Sequence, residues 1–185
     1  MIIAVKKGDK VVVGVTICDG SIDMSEKDLA LESNLPFWRV KGQNDCYVCT
    51  EDLTYSTDLF RYNDYIFKDI SDGKSIIENV LPKMKEILKR NNQLINGKEW
   101  DNQMLIIKGG KVFRITNYLN LAEIDDYTVL GYESNVQCVL DETKDDTPID
   151  SILSSIRHLN RMRNKQLFPV TIFDLQGRKK QVYYK

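Results

Sequence analysis

The sequence predicts an α+β fold in which two antiparallel sheets stack face to face with helices outside, a four-layer αββα sandwich. Three observations predict it. Strand and helix segments come in blocks, in the order strands, two helices, strands, one helix, strands. Blocks joined by hairpins favour antiparallel sheets over repeated βαβ crossovers. Strand segments such as Val11-Val12-Val13-Gly14-Val15 are unbroken apolar runs, which suit burial on both faces, or on one face with little alternation on the other. The helical segments carry one-sided apolar stripes that need a sheet to lie against.

The first element is a hairpin: Ile2-Ile3-Ala4-Val5, the turn Lys7-Gly8-Asp9-Lys10, then residues 11–15. Residues 19–37 have a mixed pattern and receive no assignment. The polar turn Gly42-Gln43-Asn44-Asp45 leads into a strand at Cys46-Tyr47-Val48-Cys49, and a helix is expected over 50–62 with Leu53, Leu59 and Phe60 on its apolar side. A second helix is expected over 74–91, where Ile77, Val80, Leu81, Met84, Ile87 and Leu88 form a stripe; Pro82 must kink it or mark its true start. Met104-Leu105-Ile106-Ile107, Gly109-Gly110 and Val112-Phe113-Arg114-Ile115 read as a hairpin with the right turn residues. A short strand follows at 127–130. Thr147, Pro148 and Asp150 are the start signals of a helix whose stripe is Ile149, Ile152, Leu153, Ile156 and Leu159. A last hairpin pairs Val170-Thr171-Ile172-Phe173 with Gln181-Val182-Tyr183-Tyr184 around Gln176-Gly177.

Composition bounds the function. At 185 residues the chain fits one domain, 1–185, with no repeat or linker. Its 26 basic and 27 acidic residues leave a net charge of -1. This balance argues against nucleic-acid or anionic-membrane partners, which need long-range attraction or counterion release. Arg178, Lys179 and Lys180 form a short basic patch that reads as a solvated strand end. No apolar run reaches the ~18 residues of a membrane span. The opening Met1-Ile2-Ile3-Ala4-Val5-Lys6-Lys7 puts apolar residues before charge, the reverse of a secretory signal, so a cytoplasmic location is expected. Four cysteines, Cys18, Cys46, Cys49 and Cys138, are too few for a disulfide scaffold and are expected to be reduced.

Four segments resemble the proteasome-type N-terminal nucleophile (Ntn) hydrolases, a family that includes proteasome subunits and HslV. They are the first hairpin; Cys46-Tyr47-Val48-Cys49 entering 50–62; Leu105 to Ile115 followed by Val129-Leu130-Gly131-Tyr132-Glu133-Ser134; and Thr147-Pro148-Ile149 with Pro169-Val170-Thr171-Ile172. The resemblance implies the same αββα sandwich. It also implies a mechanism in which an N-terminal Thr attacks a peptide carbonyl with its own α-amino group as base. A hydroxyl is a poor nucleophile without such a base, and an amine of pKa ~8 lies close to working pH.

The residues at the matching positions lack those groups. Met1 or Ile2 falls where the Thr should be, Thr16 near the family's Asp, and Glu32 or Ser33 near its Lys. Tyr132 falls on the Ser of the family's turn, with Ser134 two residues on. Bulky Ile2 is expected to keep the initiator methionine in place, so the mature chain is expected to begin at Met1. Self-cleavage before Thr16 or Cys18 would remove the first strand and expose a sheet edge.

Other groups were weighed for chemistry. Cys46 and Cys49 form a C-x-x-C, half of a tetrahedral thiolate site, but no second pair exists and His158 is the only histidine. On a strand their side chains point to opposite faces. They read as core cysteines, with a redox pair as the competing reading if a helix starting at Thr50 lowered a thiol pKa. His158, between Arg157 and Leu159, reads as a surface residue. Asp141, Glu142, Asp145 and Asp146 read as a solvated loop around Lys144, and Asp125-Asp126 as an exposed turn. Trp38, Trp100 and the nine tyrosines are residue types that line interfaces, although core and half-buried positions account for most of them.

No catalytic, cofactor-binding or metal residue is assigned, and no cofactor is expected. Two functions remain. The preferred one is a non-catalytic, self-assembling proteasome/HslV-like protein, a homo-oligomer or ring, acting as scaffold, chamber or binding module with a protein or peptide partner. The other is an Ntn-type threonine, cysteine or serine peptidase or amidohydrolase, activated by processing or by a displaced nucleophile such as Thr16, Cys18 or Ser33.

Overall fold

Strands and helices follow one another in blocks in the computed structural model, which describes residues 1–16, 35–51, 55–131, 133–163, 167 and 169–184. The strands are β1 Ile2–Lys7, β2 Lys10–Val15, β3 Phe37–Arg39, β4 Cys46–Thr50, β5 Leu94–Ile95 and β6 Glu99–Trp100. They continue with β7 Met104–Lys108, β8 Lys111–Ile115, β9 Leu121–Ile124, β10 Tyr127–Leu130, β11 Val170–Asp174 and β12 Lys179–Tyr183. The helices are α1 Tyr55–Tyr62, α2 Leu81–Arg90, α3 Glu133–Glu142 and α4 Pro148–Arg163. Two units emerge, one of Met1–Leu35 with Asp125–Lys185 and the other of Pro36–Ile124.

The first unit is built on an antiparallel sheet in the order β10-β1-β2-β11-β12. Helix α4 packs on β1 and β2, and α3 on β10 and α4. Ile3, Val5, Val12, Val129, Val170 and Ile172 from the sheet meet Val136, Leu140, Ile152, Ile156 and Leu159 from the helices in one buried cluster. Gly14 permits the closest approach: a Cβ there would lie 2.4 Å from Cγ2 of Ile152. The start of α4 follows its sequence signals, with the Asp150 N–H donating to Thr147 Oγ1 at 3.2 Å and Pro148 in the first turn.

The second unit carries the sheet β3-β4-β7-β8-β9 and the small β5-β6 hairpin. Gly109 and Gly110, at φ +57° and +82°, make the tight link between β7 and β8 that a primed turn requires. Cys46, Val48, Met104, Ile106, Phe113 and Ile115 face a cluster with Phe60, Phe67, Ile76, Val80, Met84 and Leu88 from the helical segments. Phe60 meets Trp100 edge to face at 5.4 Å.

Several expectations are corrected. The helix expected from Thr50 does not start there, since Thr50 ends β4 and α1 spans Tyr55–Tyr62. The helix expected over 74–91 is not one straight α-helix. It opens on an α-turn, Gly73–Ser75, capped by a reciprocal Asp72–Ser75 box, passes through a π-helical turn, Ile76–Val80, and continues as α2. Pro82 supplies the reason. It has no N–H to give Glu78, and its ring would press on that carbonyl, so the preceding turn widens and Leu81 N–H donates to Ile76 O instead. The wider turn brings Ile76, Val80 and Met84 into line at the core and leaves Ile77, expected in the stripe, 55% exposed.

The second block has two helices where one was expected. Asp141 and Glu142, read as loop, are the last turn of α3, and Glu133, read as part of a turn, is its first residue. Its signals are weak because Val136 and Leu140 are a short stripe, and no basic residue marks the last turn. Strands β3, β5, β6 and β9, of two to four residues each, were too short to be read as periodic patterns.

Candidate functional site

The position that the family resemblance singles out is the open end of the β1–β2 hairpin. There the pairing runs one step past the strands. The Met1 α-amino group donates to Thr16 O at 2.8 Å, and Thr16 N–H returns to Met1 O at 3.0 Å. Thr16 Oγ1 donates to Leu167 O at 2.5 Å. Met1, Thr16 and Leu167 are all buried. The hydroxyl is thus held by a carbonyl, which accepts a hydrogen bond but cannot act as a base for attack on a substrate. The Met1 side chain is a thioether and supplies neither a hydroxyl nor a thiol. Cys18, Glu32, Ser33 and Tyr132 lie outside the described residues.

Cys46 and Cys49 belong to the second unit. They point to opposite faces of β4, Cys46 into the cluster with Val48 and Cys49 away from it. Burial pushes the Cys46 thiol up to about 12, outweighing nearby Lys108, and pushes Cys49 upward too. The helix N-terminus that a redox pair would need at Thr50 is a strand end instead. Among the described residues no three His, Cys, Asp or Glu side chains converge as a metal site would require.

His158 is half-buried on α4. Asp141 accepts from the Tyr127 hydroxyl at 2.5 Å, and desolvation together with that carboxylate pushes Tyr127 up to about 12. Lys7 Nζ donates to Asp146 O, so part of the acidic stretch is tied to the first hairpin. Arg178, Lys179 and Lys180 are exposed on and beside β12. Among the described residues no helix is long and apolar enough to cross a membrane.

Sequence reasoning did not single out the outer face of α1. Tyr55 and Tyr62 are 60% and 86% exposed, and Tyr65, in the 3₁₀ turn Asp64–Phe67, is 54% exposed. The opposite side carries buried Thr57, Phe60, Ile66 and Phe67. Arg61, beside them, lies over the Trp38 ring at 5.4 Å, and burial lowers its pKa against the pull of Asp58. The signal was available as spacing: Tyr55 and Tyr62 are seven residues apart, and Phe60 sits off their line.

No family model matches the chain, and no curated protein matches it. Solved structures do. BPH of Thiobacillus denitrificans, in complex with epoxomicin, is similar over 94% of this chain and 98% of its own, with 14% identity and a TM-score of 0.68. Anbu, an ancestral β-subunit from Yersinia bercovieri, is similar over 100% of this chain and 87% of its own, with 10% identity and a TM-score of 0.65. A Gly-1 mutant of Anbu from a Hyphomicrobium strain has 11% identity and a TM-score of 0.60 over 98% of this chain and 84% of its own.

These matches overturn the assignment drawn from the motifs, to a proteasome/HslV-type Ntn hydrolase that has lost its threonine. Identities of 10–14% carry likeness of fold and neither catalytic status nor its loss. The chain is a mixed α and β protein dominated by antiparallel sheets, and its fold is similar to those of BPH and Anbu.

Proposed function

We propose that the chain is a non-catalytic protein that assembles with copies of itself and serves in the cytoplasm as a scaffold, chamber or binding module for a protein or peptide. One observation carries the reading: at the end of the first hairpin the Thr16 hydroxyl is buried and committed to Leu167 O beside a thioether side chain, so among the described residues no poised nucleophile stands there. The near-neutral charge supports a protein partner over nucleic acid or an anionic membrane.

In the same reading residues 1–185 are one domain. Ile2, Val11, Val13 and Val15 in one sheet are buried outside the helix-facing cluster, as are Leu105, Ile107 and Val112 in the other. The reading keeps the four-layer αββα sandwich for the chain. A displaced nucleophile at Thr16 is disfavoured by its burial and its bond.

The test is native mass spectrometry of the full chain, with the subunit mass read before and after incubation with epoxomicin, and turnover of fluorogenic peptides in parallel. The expected result is a multimer of unmodified subunits without turnover. A covalent adduct or peptide hydrolysis would overturn the non-catalytic reading, and a monomer at all concentrations would overturn self-assembly.

A further inference from the structure

Tyr55, Asp58 and Tyr62 fall at i, i+3 and i+7 along α1, the spacing of one helix face, and Tyr65 follows in the 3₁₀ turn beyond Asn63. All four are exposed, whereas Thr57, Phe60, Ile66 and Phe67 on the other side are buried. The segment therefore has two apolar sides, one facing the core of its unit and one facing solvent. The ring of Tyr55 is held in place, its hydroxyl donating to Asn91 Oδ1 at 3.4 Å.

We infer that this tyrosine seam is a contact between two copies of the chain, with α1 packing antiparallel on α1 across a two-fold axis. The inference rests on the self-assembly reading above and names the surface that carries it. In a two-fold contact residue i meets j while j meets i, so Tyr55 of one protomer lies against Tyr62 of its partner at both ends of the contact. Two features favour a second copy over a foreign partner.

The first is area. Aromatic side chains bury ~150–250 Å² each when covered, so three tyrosines exposed by half or more offer roughly 400 Å² per chain. That is about half of the ~800 Å² per partner of a stable interface, and the neighbouring helix surface is there to add to it. The second is charge. Asp58 lies near the axis and meets its own copy there, which alone would repel. Arg61, whose Nη1 is 4.0 Å from Asp58, supplies the offsetting charge in each chain. Over residues 55–69 three aspartates face one arginine and one lysine, a near balance that suits self-contact better than a strongly charged ligand.

The experiment is sedimentation velocity of the full chain across a concentration series, comparing wild type with Tyr62→Asp and Tyr55→Asp. Thermal melts check that each variant is folded, and Tyr62→Ala stands in should the charged variant fail to fold. Because a two-fold contact pairs copies, its loss should halve the assembled mass or weaken self-association by roughly 30-fold, as a hot-spot tyrosine does. Both variants should do this with unchanged melting. Folded variants that assemble like wild type would overturn the seam while leaving self-assembly intact. A wild-type chain that is monomeric throughout would overturn the seam and the self-assembly reading together.

Discussion

The end of the first hairpin and the outer face of α1 use their polar and apolar groups in opposite ways. At the hairpin end an amine, an amide and a hydroxyl all donate to backbone carbonyls and are shut away from water. On α1 and the 3₁₀ turn after it three large aromatics stand in solvent although the same segment has a buried side. Leaving a hydroxyl where it meets only a carbonyl removes it from chemistry, while leaving tyrosines uncovered forfeits burial worth ~25 cal/mol per Å² until something covers them. The difference teaches that the two regions call for different tests, of association at the open face and of packing and hydrogen bonding at the closed end.

The comparison breaks most visibly beside the closed end. Gly14→Ala would drive a Cβ to within 2.4 Å of Ile152, whose β-branched side chain has little rotamer freedom in a helix. Overpacking of this kind costs about 1–3 kcal/mol. A denaturant titration should show it, and Ile152→Val in the Gly14→Ala background should recover less than Ile152→Ala, because Val keeps the clashing methyl branch. A smaller effect is expected from Thr16→Val, which leaves Leu167 O without its buried donor; a loss of about 1–2 kcal/mol should appear in the same titration with assembly unchanged. By contrast, Tyr62→Asp should shift unfolding by less than about 0.5 kcal/mol, since its ring is exposed.

Two titration experiments sharpen the contrast further. The Tyr127 pKa is raised from 10.0 to about 12, so the fold favours the protonated phenol. Its contribution to stability is present below pH 10 and fades as pH rises through the raised value, which Tyr127→Phe should abolish in an alkaline unfolding series. The smallest effect is a pattern of labelling. At pH 8 an alkylating reagent should mark exposed Cys138 and spare buried Cys46 and Cys49, read by peptide mapping; rapid labelling of Cys46 would contradict its raised pKa.

Much of the first unit was legible because its signals reinforce one another. Residues 11–15 are uniformly β-branched apart from Gly14, and Thr147-Pro148 starts a helix by two independent devices. Helix α3 was not legible, since Asp141 and Glu142 sit at the end that the helix dipole disfavours and mimic a loop. The candidate site was only half legible. The sequence showed which groups the hairpin end lacks, but the bond from Thr16 to Leu167 spans 151 positions and belongs to tertiary structure alone. The tyrosine seam was written in the spacing of α1, yet exposure of an aromatic depends on what the fold leaves uncovered, which no local pattern states.

The turn before Pro82 has a consequence for insertions and deletions. A π-turn holds one residue more than an α-turn, so removing a single residue between Ile76 and Val80 would return the helix to α geometry and keep Met84 and Leu88 on the core side. The cost of that deletion would fall at Pro82, which would again face a carbonyl it cannot bond. Removing a residue just after Pro82 would instead rotate Met84 and Leu88 by ~100° away from the core and swing charged neighbours in. By the same logic, replacing Pro82 with alanine makes the straight helix accessible, and the protein would then have to choose between the better hydrogen bonds of one register and the better burial of the other.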